Sequence, residues 1–272
     1  MTNKIDFGAN SHVEKTNNKE DFFLKFKKQI ITGVVVILLV VAGAILYNVF
    51  VAGPREDKAS TAIAKGEQYF NEEQFDKALN GDGAGYVVFV KIASDYSSTD
   101  AGNLANLYAG LSFYNLGKYT EAVTYLEKFS TKGDAMVSPT ATAALANAYA
   151  QTGNVDKAIS TLKKAADIYG QIAEKFDYAA VYALFKQANF YHAINPDLKV
   201  GLALPYYKKL IDKIESQPEK SAGDLKKLGT AYQYLAVHYI QNDKVADAKQ
   251  WAAKLLEVRP DDETAKQIMD LK

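Results

Sequence analysis

Cysteine is absent from the 272-residue chain, and several functional classes are excluded with it. Without a thiol the protein forms no disulfide, offers zinc no thiolate ligand, has no thiol nucleophile and cannot be a lipid-anchored lipoprotein. Net formal charge is absent as well, because 32 basic residues balance 32 acidic ones. Such a composition makes no polybasic surface for nucleic acid, so we predict no nucleic-acid partner.

Charged residues are also missing from one continuous stretch, Ile30 to Phe50. A helix over residues 30–50 would rise about 30 Å, the hydrocarbon thickness of a bilayer, so we predict a transmembrane helix there. The alternatives are a buried soluble helix and a cleaved signal peptide, whose apolar core usually has about 7–15 residues near the N-terminus. Residues 1–29 come first, and Phe50-Val51-Ala52 is a poor cleavage site, which favours an uncleaved anchor.

The placement of basic residues around this stretch predicts its orientation. The nearest bases before it are Lys25, Lys27 and Lys28, and the nearest after it are Arg55 and Lys58, so the comparison is three against two, or six against two over a wider flank. By the positive-inside rule, residues 1–29 form a cytoplasmic head, and the rest of the chain lies across the membrane, which in a bacterium is the periplasm. We expect this polar head to be disordered, with residues 21–29 resembling the interfacial start of the anchor helix.

Small and aromatic residues recur in a fixed order between Ala62 and Pro260. A small residue is followed by an aromatic residue three positions later and by an alanine about nine positions after that. The five sets are Gly66/Tyr69/Ala78, Gly110/Phe113/Ala122, Ala146/Tyr149/Ala158, Ala188/Tyr191/Ala203 and Ala236/Tyr239/Ala248. Such repetition is typical of stacked helical hairpins. We predict an all-α fold with a repeat domain over residues 55–272, in which Val87–Val90 belongs to a helix ending near Asp95.

Helix-breaking residues predict where the chain turns. Gly53-Pro54 is expected to interrupt the helix beyond the bilayer. Gly117 and Gly153 each lie between the two halves of a hairpin, where glycine adopts the left-handed conformation that ends a helix. Polar residues do the same at 71–74 and 241–243.

With these positions aligned, the chain resembles the tetratricopeptide repeat, a helix pair of about 34 residues with small and large residues at fixed offsets. The matching positions are Gly110, Phe113, Gly117, Tyr119, Ala122 and Leu126 in the second unit, Ala146, Tyr149, Gly153, Ala158 and Ala165 in the third, and Tyr232, Leu235, Ala236, Tyr239, Ala248, Leu255 and Pro260 in the fifth. The first and fourth units match less well, because they carry extra residues at 80–85 and around 195–197. The resemblance implies an α-solenoid of about five helix pairs.

The layout has a narrower resemblance. A lysine-containing head, one anchor and a repeat array with an insertion in its first unit are similar to ancillary subunits of the bacterial Sec translocon. The overall similarity is greatest to Bacteroidota members described only as tetratricopeptide-repeat proteins. This resemblance implies association with translocon subunits and hand-over of emerging chains to periplasmic chaperones. The alternative is an oligomeric scaffold of another envelope assembly, for outer-membrane biogenesis or motility.

The inner faces of the first helices predict a groove that binds proteins. Its candidate residues are Leu107, Leu111, Tyr114, Asn147, Gln151, Tyr182, Phe185, Asn189, His192 and Gln233. This set mixes aromatic, amide and aliphatic side chains and carries little charge, so it suits a peptide. It lacks the bases that some such domains use to clamp a terminal carboxylate. The alternative for each residue is packing against a neighbouring helix.

No chemistry is predicted. His192 has no partner at metal-ligand spacing, and Asp82 lies in a Gly-Asp-Gly loop that fits neither a calcium nor a phosphate motif. We expect the loop at 80–85 to be a flexible turn that delays the start of the second helix, the alternative being contact with a partner. We therefore predict no enzyme, cofactor, metal or small-molecule substrate, the alternative being an enzyme that uses Asp82 or His192.

Overall fold

The computed structural model describes residues 17–131 and 137–271, with side chains described from Lys25 onward. These residues form helices and turns, without a strand in either described range. The α-helices are α1 (Asn17–Tyr47), α2 (Gly53–Asn71), α3 (Phe75–Asn80), α4 (Phe89–Asp95), α5 (Asp100–Asn115), α6 (Tyr119–Lys128), α7 (Ser138–Gln151), α8 (Val155–Lys175), α9 (Ala180–Ile194), α10 (Leu204–Glu215), α11 (Ala222–Gln241), α12 (Val245–Val258) and α13 (Glu263–Asp270). The chain divides into two compact units, one extending to Lys58 and the other spanning Ala59–Lys272.

The first unit is a long apolar helix. Within the described part of the chain, one helical stretch, Lys25–Asn71, is long and apolar enough to cross a membrane. None of the residues in its most apolar segment is buried. Helix α1 also covers residues 17–29 of the predicted head, whereas residues 1–16 lie outside the described residues.

The interruption expected at Gly53-Pro54 is not found. A π-helical segment, Asn48–Ala52, leads directly into α2, and the Gly53 N–H donates to the Asn48 carbonyl. Pro54 comes just after this segment, and the wider π-helical turn before it accommodates a residue that has no backbone N–H. A proline in this position therefore leaves the chain helical.

The second unit consists of five helical hairpins, which confirms the all-α repeat fold. Four hairpins pair a first helix with a second: α5 with α6, α7 with α8, α9 with α10, and α11 with α12. In the first hairpin the C-terminal part of α2 packs with α3 and α4 in one apolar cluster. The turns fall where the sequence predicts them, at residues with positive φ: Glu73 (58°), Gly117 (73°), Gly153 (78°) and Asp243 (59°). In the fourth hairpin a longer loop ends at Gly201, whose φ is 67°.

Small residues stand where helices cross most closely. A Cβ added to Gly110 would lie 2.6 Å from Leu126 Cγ, and one added to Gly66 would lie 2.5 Å from the Phe89 ring. The alanines of the five sets are buried, and around them lie three apolar clusters that together span Ile63 to Ile268. Helix α13 packs on α11 and α12 through Ala265 and Ile268 and so covers the last hairpin.

The insertion in the first hairpin differs from its prediction. The second helix does not start late, because α3 begins at Phe75, directly after the turn; the helix is instead interrupted and resumes as α4. The interruption contains Gly81, Gly83 and Gly85, all with φ above 80°, which an α-helix excludes. Val88, directly before α4, has an extended backbone with φ −70° and ψ 156°. The run at Val87–Val90 is therefore helical only from Phe89.

Candidate protein-binding groove

The ten predicted groove residues lie on four first helices. They are Leu107, Leu111 and Tyr114 on α5, Asn147 and Gln151 on α7, Tyr182, Phe185, Asn189 and His192 on α9, and Gln233 on α11. Within a helix the predicted positions recur every three or four residues, which places them on one side. Gly110, a small residue of the repeat, faces Leu126 on the second helix.

Access differs among the ten. Asn147, Gln151 and Tyr182 are exposed, Tyr182 to 52%. Six others are partly exposed: Leu111, Tyr114, Phe185, Asn189, His192 and Gln233. Leu107 is only 6% exposed and packs with Ala122 and Leu126, so it has no surface left for a ligand. The alternative of interhelix packing therefore describes Leu107.

A pocket of about 230 Å³ opens between α9 and α11. We call it the His192 pocket, and its lining residues are His192, Leu198, Tyr207, Thr230, Gln233, Tyr234 and Val237. Two of them, His192 and Gln233, belong to the predicted groove. Sequence reasoning missed Tyr234, since its place beside His192 depends on how α9 crosses α11, which no spacing along one helix reveals.

Two buried polar atoms of this pocket have no hydrogen-bond partner, His192 Nδ1 and the Tyr234 hydroxyl. The two rings meet edge to face, with centroids 5.3 Å apart and planes at 87°. Tyr234 is only 6% exposed, so its hydroxyl is also poorly placed for bulk water. Buried polar groups usually have a hydrogen-bond partner, and these two exceptions lie in the same pocket.

The neighbouring polar groups are partly engaged. Arg259 Nη1 donates to Gln233 Oε1 over 3.4 Å, and Nη2 donates to Thr230 Oγ1 over 3.1 Å. The Tyr207 hydroxyl donates to Asn189 Oδ1 over 2.7 Å. With its oxygen bound to Arg259, Gln233 keeps its amide hydrogens for another acceptor.

Burial keeps both pocket tyrosines protonated. Burial and then the nearby Tyr234 raise the pKa of Tyr207 well above its ordinary value. Burial also raises the pKa of Tyr234, assisted by the charge of Asp197 and opposed by the Ala203 backbone N–H, which points toward the hydroxyl without completing a hydrogen bond. Both hydroxyls are therefore neutral near pH 7 and can donate or accept a hydrogen bond.

The loop at residues 195–201 forms one wall of the pocket through Leu198. His238 Nδ1 lies 2.6 Å from the Leu198 carbonyl oxygen, and Asn242 Nδ2 donates to the Lys199 carbonyl oxygen over 3.0 Å. Because a carbonyl only accepts, His238 carries its hydrogen on Nδ1. Gly201 lies so close to the His238 ring that an added Cβ would be 2.5 Å from Cε1. The extra residues of the fourth unit are thus fastened to α11.

The loop around Asp82 has a different character. Asp82 Oδ2 accepts a 2.5 Å hydrogen bond from the Tyr69 hydroxyl, and Oδ1 accepts one of 2.8 Å from the Ala84 N–H. The bond from Tyr69 is the main reason that the pKa of Asp82 lies below its ordinary value. Both carboxylate oxygens are thus used to hold the insertion. Across residues 17–131 and 137–271, no group of three or more His, Asp or Glu side chains is placed to hold a metal ion.

Stacked helical hairpins, with small residues at each crossing and polar and aromatic side chains along the first helices, define a helical-repeat scaffold for protein–protein interaction. The chain belongs to the tetratricopeptide repeat-like domain family, whose profile matches residues 20–175, more than half of its length. No curated protein sequence matches it.

Solved structures agree on the fold. The C-terminal part of a tetratricopeptide repeat-containing protein from Cytophaga hutchinsonii is 22% identical, with a TM-score of 0.56 over 78% of this chain and 74% of that one. Tetratricopeptide-like repeats of a putative kinesin light chain from Podospora anserina are 14% identical, with a TM-score of 0.52 over 75% of this chain and 96% of the other. At these identities the likeness concerns the fold alone.

Proposed function

We propose that the protein is a membrane-anchored scaffold whose array lies on the periplasmic side of a bacterial inner membrane. There it binds polypeptide partners close to the Sec translocon and periplasmic chaperones. The observation that carries the proposal is the joining of one apolar helix to a tetratricopeptide array in a single chain. An anchor confines the array near the bilayer and raises its effective concentration beside membrane partners.

The anchor is supported by the surface of α1. Its apolar side chains from Ile30 to Tyr47 are exposed, which in water would be a large unfavourable apolar surface. Close to the apolar run, the three lysines at positions 25, 27 and 28 precede it and two bases, Arg55 and Lys58, follow it, which supports a cytoplasmic N-terminus.

Binding through the first helices is supported by what they expose. Asn147, Gln151 and Tyr182 offer amides and an aromatic ring without a charge. Amides bind peptide backbone groups, and tyrosine contributes contact area at a modest cost in entropy.

Orientation is tested with reporters fused after Lys272. Alkaline phosphatase is active only in the periplasm. Green fluorescent protein fluoresces in the cytoplasm and does not fold when the Sec pathway exports it. We expect phosphatase activity and no fluorescence. The reverse pattern would contradict the periplasmic location and the translocon association together.

The partner is tested by photo-cross-linking in intact cells. A photoreactive residue at Asn147, on the predicted groove, is compared with one at Lys163, an exposed residue of α8. We expect translocon subunits or periplasmic chaperones to be cross-linked from position 147 and not from 163. Subunits of an outer-membrane assembly or motility machine at position 147 would support the alternative function instead.

A further inference from the structure

We propose that the His192 pocket binds the carboxamide side chain of an asparagine or glutamine in the polypeptide partner. The inference rests on the proposed function, because it presumes that a polypeptide lies along the first helices. It adds the chemical identity of one ligand side chain and the place where it binds.

The polar groups of the pocket favour a carboxamide ligand. His192 Nδ1 and the Tyr234 hydroxyl are buried without partners, and the amide hydrogens of Gln233 are free of the bond that its oxygen makes to Arg259. Neutral histidine donates or accepts at Nδ1 according to its tautomer, and a tyrosine hydroxyl does either. A carboxamide carries both an acceptor oxygen and two donor hydrogens, so it can satisfy these three groups together.

The charges around the pocket favour a neutral ligand. Neither Lys, Arg, Asp nor Glu lines the pocket, and Arg259 already donates to Gln233, Thr230 and the carbonyl of Lys226. Asp197 lies close enough to Tyr234 to contribute, after burial, to its raised pKa. An entering carboxylate would lose its hydration and meet a like charge, whereas a neutral amide loses much less.

The walls of the pocket suit the apolar part of such a side chain. Leu198, Val237 and the ring of Tyr207 supply apolar walls that suit the methylene part of such a side chain. The loop at residues 195–201 is held to α11 by two bonds to its carbonyl groups, so its wall is in place before a ligand arrives. A preformed pocket spares the ligand the cost of ordering it.

The test uses the full chain in detergent micelles, with ¹³C at Cε1 of histidine. The chain has three histidines, so three resonances are expected, and that of His192 is assigned by its loss in the His192→Gln variant. Propionamide, the side-chain analogue of glutamine, is titrated against propionate, which has the same shape and a negative charge. We expect propionamide to shift the His192 resonance in a saturable way and to leave His238 unmoved, with a much weaker response to propionate.

Two variants sharpen the result. Tyr234→Phe removes one pocket hydroxyl and keeps the ring, so half-saturation should need about fivefold more propionamide, the effect of one net hydrogen bond. Tyr232→Phe also removes a tyrosine hydroxyl from α11, but this hydroxyl donates to Glu215 and does not line the pocket. The variant should therefore leave the titration unchanged. Far-UV circular dichroism checks that both variants are folded.

Three outcomes would overturn the inference: an unmoved His192 resonance, an equal or stronger response to propionate, or an unchanged titration in Tyr234→Phe. Its failure is separable from that of the proposed function. Cross-linking from Asn147 can identify a translocon partner when the amide titration fails, and the amide can bind when no such partner is found.

Discussion

Gly110 and Leu126 illustrate how tightly single residues determine the packing of a hairpin. A methyl group on Gly110 would approach Leu126 Cγ to 2.6 Å and the Leu126 backbone nitrogen to 3.1 Å. The first contact could be relieved by side-chain motion, but the second requires the helices to separate. Overpacking of this kind costs about 1–3 kcal/mol.

We therefore expect Gly110→Ala to lower the free energy of unfolding, because the clash outweighs the gain of about 1 kcal/mol from replacing a helical glycine. The measurement is urea unfolding followed by circular dichroism. Gly223→Ala is the matched control, since its new Cβ would have only ordinary contacts at 3.5 Å, and it should be neutral or slightly stabilising. Equal effects in the two variants would contradict the close approach at Gly110.

Asp82 predicts a dependence on pH. Its pKa is lowered in the folded protein, chiefly by the hydrogen bond from Tyr69, so the stabilisation is present above the unfolded value and lost as pH falls through the folded one. Asp82→Asn should therefore melt at a lower temperature than wild type at pH 7, and the difference should shrink as pH falls below about 4. Thermal unfolding at several pH values measures this. A difference that stays constant down to pH 3 would contradict it.

These residues also mark the limit of prediction from sequence. The small residues and the left-handed turns were predictable, since both follow from sterics within one hairpin, as Gly110 and Gly117 show. Five hairpins and their order followed from the same repetition. The pairing of His192 with Tyr234 was not predictable, because it depends on the crossing of helices from two units and on a loop of irregular length. Leu107 was misjudged for a similar reason, since the neighbouring helix covers it.

Among the elements, the interrupted second helix of the first hairpin is the most informative. In the second hairpin the residue that packs on Gly110 is Leu126, four positions after Ala122. In the first hairpin the residue that packs on Gly66 is Phe89, eleven positions after Ala78. The difference is seven residues, close to two turns of α-helix. The seven extra residues lie in the non-helical interruption, and Phe89 beyond it still packs on the small residue of its hairpin.

Removing residues 82–88 should join α3 and α4 into one helix with Phe89 four positions after Ala78. We expect this variant to unfold cooperatively at a midpoint close to wild type, apart from the lost Tyr69–Asp82 bond. Removing only residues 82–87 is the control, because it rotates Phe89 by about 100° off the packing face and should lower the midpoint strongly. Circular dichroism on heating distinguishes the two, and similar midpoints would show that helical phase is unimportant here.

At the scale of the molecule, the array carries its own core. The three apolar clusters draw their buried residues from Ile63 onward, and none comes from α1. Helix α13 packs on α11 and α12 and adds Ala265 and Ile268 to the last of these clusters.

A chain comprising residues 55–272 should therefore be soluble without detergent, helical and cooperatively folded. Size-exclusion chromatography and circular dichroism measure this, and the full-length chain, which should need detergent, is the comparison. An insoluble or mainly non-helical product would show that the array depends on the anchor.

The fastening of the loop at residues 195–201 has an evolutionary consequence. His238 and Asn242 hold carbonyl oxygens at Leu198 and Lys199, groups that every amino acid supplies whatever its side chain. The attachment itself therefore does not depend on the side chain at position 198, which lines the pocket and packs on the apolar cluster beneath it. Descendants of this protein could alter what the pocket accepts by exchanging Leu198 for another apolar residue, while His238 and Asn242 keep the loop in place.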